Sequence, residues 1–359
     1  NALGLLTSTY FLAFGAAQSP LGILLDRFGP RRVEAALLLI AAAGAAAFAM
    51  SDSLHGLAIG RALIGLGVSA CLMASFKAFS QWFPPERQAS LTGWIMASGG
   101  LGALAAAKPL ELALTITGWR GIVLALAATT LAVAAVIWWL VPDRPVVERG
   151  ASLAEQFSGV KQIFLSRHFW RYGPLAFWLT GGFMAVQGLW ATRWMNVIEH
   201  MGSPAIAARL TWISGAMLAG FLFMGFFATG LVRRGIRLES VYLAAMLAAV
   251  AGLALLASFP TVGGDLLWPL LGACFSLSNI AYSLVAQAFP PALSGRVNTA
   301  LNLLVFAGAF SLQWGIGILV DLLQSAGWTA ETAYRAAFIA LLAGQTTAFT
   351  WLVASRKKN

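Results

Sequence analysis

The chain has 359 residues, of which 59% are hydrophobic and 10% are charged. Soluble domains carry roughly 25% charged residues, so this composition excludes a soluble globular protein. A spanning helix needs about 20 apolar residues, so the length allows at most about a dozen spans and leaves little for a separate soluble domain. The net charge of +10 lies in short clusters between apolar runs, which is typical of membrane topology and not of nucleic-acid binding.

Apolar runs long enough to cross a membrane occur at about eleven places. They cover residues 3–25, 33–50, 57–80, 89–117, 121–141, 173–197, 206–231, 238–259, 266–288, 297–323 and 333–354. Open sheet edges are not stable in lipid, and these runs lack the alternation of barrel strands, so each is predicted to be a helix. The fold class predicted is an all-α, polytopic membrane helix bundle.

The longest polar stretch, residues 142–171, separates five runs from six. It predicts an N-terminal half over residues 1–141, a cytoplasmic linker over 142–171 and a C-terminal half over 172–359. Within the linker, residues 152–166 place apolar side chains on one side of a helix, which favours an amphipathic helix at the membrane interface.

Positive charge indicates the orientation of the chain. Basic residues lie on alternate connections, whereas the intervening connections carry mostly acidic residues. Since basic loops stay in the cytoplasm, the first run is predicted to cross inward, in a multi-pass protein of the bacterial inner membrane. Five spans before the linker and six after it suggest a six-plus-six protein that lacks its first helix.

Residues 22–32 read Gly-Ile-Leu-Leu-Asp-Arg-Phe-Gly-Pro-Arg-Arg. Gly22 allows close helix approach, and Gly29 with Pro30 forces a tight turn. Asp26 can meet either Arg27 or the positive end of a neighbouring helix. The stretch resembles the loop signature between the second and third helices of the major facilitator superfamily, and departs from it mainly at Pro30. The signature residues are Gly22, Asp26, Arg27, Gly29, Arg31 and Arg32.

Further segments are similar to the same family: residues 61–67 to its fourth helix, 82–87 to the following loop, and 118–120 to the start of its sixth helix. The resemblance covers essentially the whole chain. It implies two six-helix halves that rock about a central site, with Asp26, Arg27 and Arg31 holding a cytoplasmic gate shut against the opposite half. In the second half, Thr229 and Gly230 stand where an acid is expected, so the charged latch is complete in the first half alone.

The predicted span 57–80 carries two basic residues, Arg61 and Lys77, and an ionisable side chain inside a span points to function. Arg61 could bind an anionic solute, support proton coupling, or form a structural hydrogen bond to backbone carbonyls. Lys77 lies about a turn before the cytoplasmic end of its run and is predicted to extend to the interface. No acidic residue stands in the middle of a span, which leaves proton coupling without an obvious carrier.

Polar and aromatic residues in the second half are candidates for lining a substrate cavity. Gln187 and Trp190 share one helix face, and so do Asn279 and Tyr282, because their spacing is three. Asn298 is a weaker candidate. The same residue types also form interhelical hydrogen bonds and interfacial belts, so both interpretations stay open.

No motif supports catalysis, a metal site or a cofactor. The three histidines are scattered at helix ends, no phosphate-binding loop occurs, and Cys71 and Cys274 lie in apolar runs without metal-ligand spacing. The protein is therefore predicted not to be an enzyme.

The sequence and the family resemblance together favour a secondary active transporter of a small organic solute, with an anion as one candidate class. The resemblance implies that it works by rocker-switch alternating access. Its expected partners are that solute, a coupling ion and the lipid bilayer, with no nucleic acid, and it is expected to be a monomer. Two alternatives stay open: efflux of amphipathic compounds by proton antiport, and a membrane sensor that binds solute without moving it.

Overall fold

The computed structural model describes residues 2–105, 108–142, 153–259 and 263–355. These residues form helices and no strand. The α-helices are α1 Ala2–Phe28, α2 Pro30–Met50, α3 Leu54–Val68, α4 Cys71–Trp82, α5 Pro85–Ala105, α6 Lys108–Leu140, α7 Leu153–Leu165, α8 Arg167–Leu175, α9 Gly182–Ala185, α10 Ala191–Val197, α11 Ser203–Arg233, α12 Leu238–Ser258, α13 Gly264–Ser278, α14 Ile280–Ala286, α15 Ser294–Ser325 and α16 Ala330–Ala354. The all-α fold class is confirmed.

Within the described residues, eight helical stretches are long and apolar enough to cross a membrane. They are Pro30–Met50, Leu54–Trp82, Ala113–Leu140, Ser203–Arg233, Leu238–Ser258, Gly264–Ala286, Pro291–Ser325 and Ala330–Ala354. The remaining predicted runs, 3–25, 89–117 and 173–197, are helical in their described parts as well. Each predicted run therefore corresponds to helix.

Two glycines at positive φ lie where the sequence predicts breaks between apolar runs. Gly29 has φ 82° between α1 and α2, and Pro30 begins α2, so the predicted tight turn is present. Gly118 has φ 67° and interrupts α6, at the boundary that the sequence placed between two runs. Arg120, just after this break, donates to the Ala49 carbonyl and to the Asp52 carboxylate.

The described helix α7 lies inside the predicted linker, and its bounds agree with the amphipathic helix expected over residues 152–166. Linker residues 143–152 lie outside the described part of the chain. The division of the chain at residues 141 and 171 stays a prediction.

The chain divides into two compact units, and α15 contributes to both. The first comprises Asn1–Pro84, Leu101–Phe164 and Ala286–Leu303. Its core is built on α2, which packs on α3 and α6. Glycines allow these backbones to approach: a Cβ at Gly67 would lie 2.6 Å from the Ala41 Cα, and one at Gly44 would lie 2.6 Å from the Leu63 Cβ. Close packing of this kind holds helices together in lipid, where burial of apolar surface gives little drive.

The second unit comprises Pro85–Gly100, Leu165–Val285 and Leu304–Asn359. Here α13 packs on α11 and α12, and α12 packs on α16. Trp194 is fully buried against Phe338, with ring centroids 4.3 Å apart.

One helical run of the second unit, residues 167–197, is irregular. Two π-helical segments, Ala176–Gly181 and Val186–Trp190, interrupt it on either side of α9. A π-helical turn adds a residue and rotates the side chains that follow, and such turns occur frequently at functional sites. Both Gln187 and Trp190 lie in the second π-helical segment.

Candidate functional site

The signature residues bring α1 against the first turn of α15. A Cβ at Gly22 would lie 2.9 Å from the Arg296 Cα and would also overlap the Thr299 hydroxyl. The predicted close approach at Gly22 is therefore present, and only a glycine leaves room for it. One turn further along α1, Asp26 is 4% exposed.

Asp26 accepts hydrogen bonds from two cations and from a helix N-terminus. The Lys77 Nζ lies 2.5 Å from its Oδ1, and the Arg296 Nε lies 2.7 Å from its Oδ2. The backbone N–H groups of Gly295 and Arg296, which begin α15, donate to the same carboxylate at 2.9 Å and 3.2 Å. Of the two partners that the sequence left open for Asp26, the structure has the positive end of a neighbouring helix.

We call this set of residues the Asp26 cluster: Asp26, Lys77, Ser80, Ser294 and Arg296. The three charged side chains are each 3% exposed or less. Lys77 also donates to the Pro291 carbonyl at 2.8 Å, and the Ser80 and Ser294 hydroxyls lie 2.8 Å apart. Because buried charges are costly unless each is paired and hydrogen-bonded, these contacts offset the cost of burying the three charged groups.

Further from the Asp26 cluster, side-chain amides form a second polar contact between α1 and α15. The Asn302 side chain donates to the Gln18 Oε1 at 3.1 Å, and the Gln18 Nε2 donates to the Ser69 carbonyl at 3.3 Å. Sequence spacing gave no sign of these pairs, because the partners are far apart in the chain.

The other basic signature residues lie elsewhere. Arg27 is exposed, with its guanidinium 5.4 Å from the ring of Phe28. The Arg31 guanidinium lies 5.3 Å from the Trp138 ring, on α6 of the same unit. Arg32 is exposed. In this structure Asp26 is paired with Lys77 and Arg296, which the sequence did not single out as its partners. The gate role expected of Asp26, Arg27 and Arg31 stays a prediction.

Lys77 differs from its expected position. The sequence predicts a side chain that extends to the interface, but Lys77 is 1% exposed and its ammonium group is held by Asp26 and two carbonyls. The ion pair with Asp26 holds the ammonium inside the protein. The position of Lys77 about one turn before the end of its run could equally have indicated a buried contact near the Asp26 loop.

Arg61 lies roughly two turns inside α3, and its side chain is half-buried. The guanidinium is 5.8 Å from the ring of Tyr10, and its Nε is buried without a hydrogen-bond partner. Among the described residues, no carboxylate pairs with Arg61. Spare donors on a cation inside a spanning helix can receive an anion.

Gln187 and Trp190 each contact a neighbouring helix in the second unit. The Gln187 Nε2 lies 3.3 Å from the Met217 sulfur, which is a weak acceptor, and Trp190 donates to the Gln313 carbonyl at 3.0 Å. Gln187 is half-buried and Trp190 is 8% exposed. A weakly bonded amide can exchange its partner for a ligand at low cost.

Asn279 and Tyr282 are buried near the break between α13 and α14. The Asn279 Nδ2 donates to the Phe275 and Ser276 carbonyls of its own helix. Phe275 stacks on Phe183 at 4.6 Å, so the helix that carries Gln187 packs beside the helix that carries Asn279.

The last candidate, Asn298, belongs to the first unit, as does Arg61. It is 2% exposed, and no described residue forms a hydrogen bond with its Oδ1. The six cavity candidates therefore fall into two groups, Arg61 with Asn298 in one unit and the other four residues in the second. Their role as cavity lining stays a prediction. Among the residues that the structure describes, no group of three or more His, Cys, Asp or Glu could hold a metal ion.

Comparison with known proteins identifies the family of this chain. A family model described as Major Facilitator Superfamily matches residues 1–313. The hexuronate transporter of Escherichia coli K12 is 26% identical over 179 residues, which are 45% of this chain and 41% of that protein. The gallate transporter of Pseudomonas putida is 27% identical over 259 residues, 59% of this chain and 54% of that protein. The chain thus spans about half the length of the curated relatives it matches.

Solved structures show the same fold. The fucose:proton symporter of Escherichia coli has a TM-score of 0.73 at 18% identity and covers 97% of this chain and 90% of its own. The human organic anion transporter has a TM-score of 0.71 at 18% identity, with 97% and 82% covered. These relatives are transporters by name and not enzymes, in agreement with the sequence reading. The family match over residues 1–313 and the apolar helices together show that this chain is a multi-pass membrane protein that belongs to the major facilitator superfamily.

Proposed function

We propose that the protein is a secondary active transporter of a small organic anion in the bacterial inner membrane. The observation that supports an anionic solute is the position of Arg61. Its guanidinium lies inside a spanning helix, and its buried Nε has no hydrogen-bond partner among the described residues. The names of two relatives, a hexuronate transporter and a gallate transporter, support an organic anion. A third relative, named as a nitrate/nitrite transporter, supports an anion that is inorganic.

Arg61 is suited to bind a carboxylate. An intramembrane cation is costly, so it is retained where it meets a counter-ion or lines a wet cavity. A guanidinium offers donors in a planar fork that matches a carboxylate, and such charge-assisted bonds are stronger than neutral ones. The nearby Tyr10 ring holds the guanidinium by its π face, which leaves the remaining donors of the fork available.

We propose that transport proceeds by alternating access between residues 1–141 and 172–359. The Asp26 cluster is the cytoplasmic contact that must separate when the site opens to that side. Gln187, Trp190, Asn279, Tyr282 and Asn298 are the proposed lining of the solute path, with the π-helical segment at Val186–Trp190 aiming the first two.

The test is a ligand-induced thermal shift of the purified protein with galacturonate, gallate, nitrate and tetraphenylphosphonium, followed by uptake of any stabilising compound into proteoliposomes. A charge-assisted hydrogen bond contributes about 1.5–3 kcal/mol, so Arg61→Gln should weaken anion binding by at least about tenfold. Arg120→Gln is the matched control, because Arg120 is exposed and paired with Asp52 at a helix end.

Each outcome separates one class of function. Anion stabilisation that Arg61→Gln abolishes and Arg120→Gln retains supports the proposal. Stabilisation by the lipophilic cation alone would favour efflux of amphipathic compounds. Saturable anion binding without uptake into proteoliposomes would favour a sensor.

A further inference from the structure

Buried acids of the described residues fall into two kinds. Asp26, Glu34 and Glu239 are the acidic side chains that are buried there. Asp26 is paired with Lys77 and Arg296, while Glu239 is paired with Arg171 at 2.6 Å and accepts from Arg237 at 3.0 Å. Glu34 forms no ion pair with any described residue, and its Oε2 has no hydrogen-bond partner.

Glu34 is the fifth residue of α2, on the predicted cytoplasmic side of the span Pro30–Met50. The ionisable group that meets its carboxyl is the Cys71 thiol, a weak and neutral donor at the start of α4. The amides at the start of α2 lie about a turn away, where the effect of the helix dipole has largely faded.

The cations on the surrounding helices lie beside groups other than the Glu34 carboxyl. On α2 itself, the Arg31 guanidinium lies over the Trp138 ring of α6. On α4, the Lys77 ammonium is held by Asp26 of α1. On α3, the Arg61 guanidinium lies near the Tyr10 ring. The Glu34 carboxyl is therefore buried, and no described cation pairs with it.

An ionised carboxylate in this position would cost several kcal/mol, since neither a cation nor a full set of donors replaces its water. A neutral carboxylic acid avoids most of that cost. We propose that Glu34 is a proton-binding site, protonated while the Asp26 cluster is closed, and that it gives its proton to cytoplasmic water when the cluster opens. In this proposal the carboxylate takes one proton from water on the outer side while the cluster is closed. The neutral acid then releases that proton to cytoplasmic water after the cluster opens, which regenerates the carboxylate.

Asp26 lies near the end of α1, and the turn at Gly29 joins α1 to the start of α2, where Glu34 lies. If the Asp26 cluster opens, water can therefore reach the start of α2. The proposed proton site and Arg61, about two turns into α3, are separate groups of one unit. This inference rests on the proposed transport function for its coupling role, whereas the protonation of Glu34 can be measured without any solute.

Infrared spectroscopy of the purified protein at neutral pH tests protonation directly. A buried carboxylic acid gives a carbonyl stretch distinct from that of a carboxylate, and the band shifts in D₂O. The wild type should show this band and Glu34→Gln should lack it, with little change in melting temperature because a neutral side chain replaces another. A band of unchanged intensity in Glu34→Gln overturns the proposal.

Glu239→Gln is the matched control, because Glu239 is equally buried at the start of α12 but paired with arginines. This variant should keep the infrared band and melt at a lower temperature, since Arg171 loses its counter-ion. Glu34→Met, an apolar side chain of similar length, should also fold and lack the band. Unfolding of Glu34→Met together with Glu34→Gln would contradict a neutral Glu34.

Transport assays test the coupling role with galacturonate as the probe. Exchange of labelled for unlabelled solute needs no net proton release, so Glu34→Gln should retain it. Accumulation driven by a pH gradient should fall to the equilibrated level. Gradient-driven accumulation retained in Glu34→Gln overturns coupling through Glu34. Absence of exchange in the wild type contradicts galacturonate as the proposed solute, and the infrared result still decides the protonation of Glu34.

Discussion

At the scale of single residues, the Asp26 cluster makes a prediction about charge balance. Asp26→Asn leaves two buried cations, Lys77 and Arg296, without a counter-ion. Breaking a buried pair by removing one partner costs about 3–5 kcal/mol. We expect a clear loss of thermal stability and of uptake, with solute binding affected less. Uptake at the wild-type rate and equal expression would show that the cluster has no gating role.

Lys77→Met should be milder than Asp26→Asn. It removes one cation and leaves Asp26 paired with Arg296 and the amides that begin α15. Thermal unfolding of the two variants in the same detergent shows which variant loses more stability. A larger loss in Lys77→Met would mean that the contacts of Lys77 with the Pro291 and Ala292 carbonyls matter more than the charge balance.

The sequence identified Asp26 and its signature, but not the residues that face it. A loop motif carries its own residue pattern, and Gly22, Asp26 and Gly29 each make the kind of contact that the pattern predicts. Arg296 is separated from Asp26 by most of the chain, and no spacing rule links them. Glu34 was overlooked for a similar reason, because burial without a partner is visible only once its neighbours are packed.

At the scale of helices, two glycines of α1 form a matched pair. A Cβ at Gly22 would overlap the α15 backbone, whereas a Cβ at Gly15 would meet nothing within 4 Å among the described residues. Gly22→Ala should push the helices apart and cost about 1–3 kcal/mol, as overpacking does. Gly15→Ala should be neutral or stabilising by up to about 1 kcal/mol, because alanine favours helix.

The measurement is thermal unfolding of both alanine variants alongside uptake. Equal stability of Gly22→Ala and the wild type would mean that α1 and α15 do not approach closely at Gly22. Loss of stability in Gly15→Ala would show that this helix face has neighbours as well.

Apolar runs predicted the helices and the break at Gly118, because length and turn chemistry are local properties. The π-helical segments at Ala176–Gly181 and Val186–Trp190 could not be predicted in this way. Their residues are ordinary for a helix, and the extra residue in each turn is accommodated by packing against neighbouring helices, as where Trp190 reaches the Gln313 carbonyl.

At the scale of the whole molecule, the alternation of basic and acidic connections predicts the orientation in the membrane. Asp52 lies on an acidic connection between α2 and α3, and Arg234 lies on a basic one between α11 and α12. Basic connections stay in the cytoplasm. Single cysteines at these positions, with Cys71 and Cys274 replaced by serine, should therefore differ in their access from outside the cell.

A membrane-impermeant maleimide should label Asp52→Cys in intact cells and Arg234→Cys only after the membrane is opened. Asp52 is 91% exposed, and its pair with Arg120 is a surface pair worth about 0–1 kcal/mol, so the substitution should leave the fold unchanged. The reverse labelling pattern would invert the predicted topology. It would also place Asp26 and Glu34 on the outer side, where Glu34 could not release a proton to the cytoplasm.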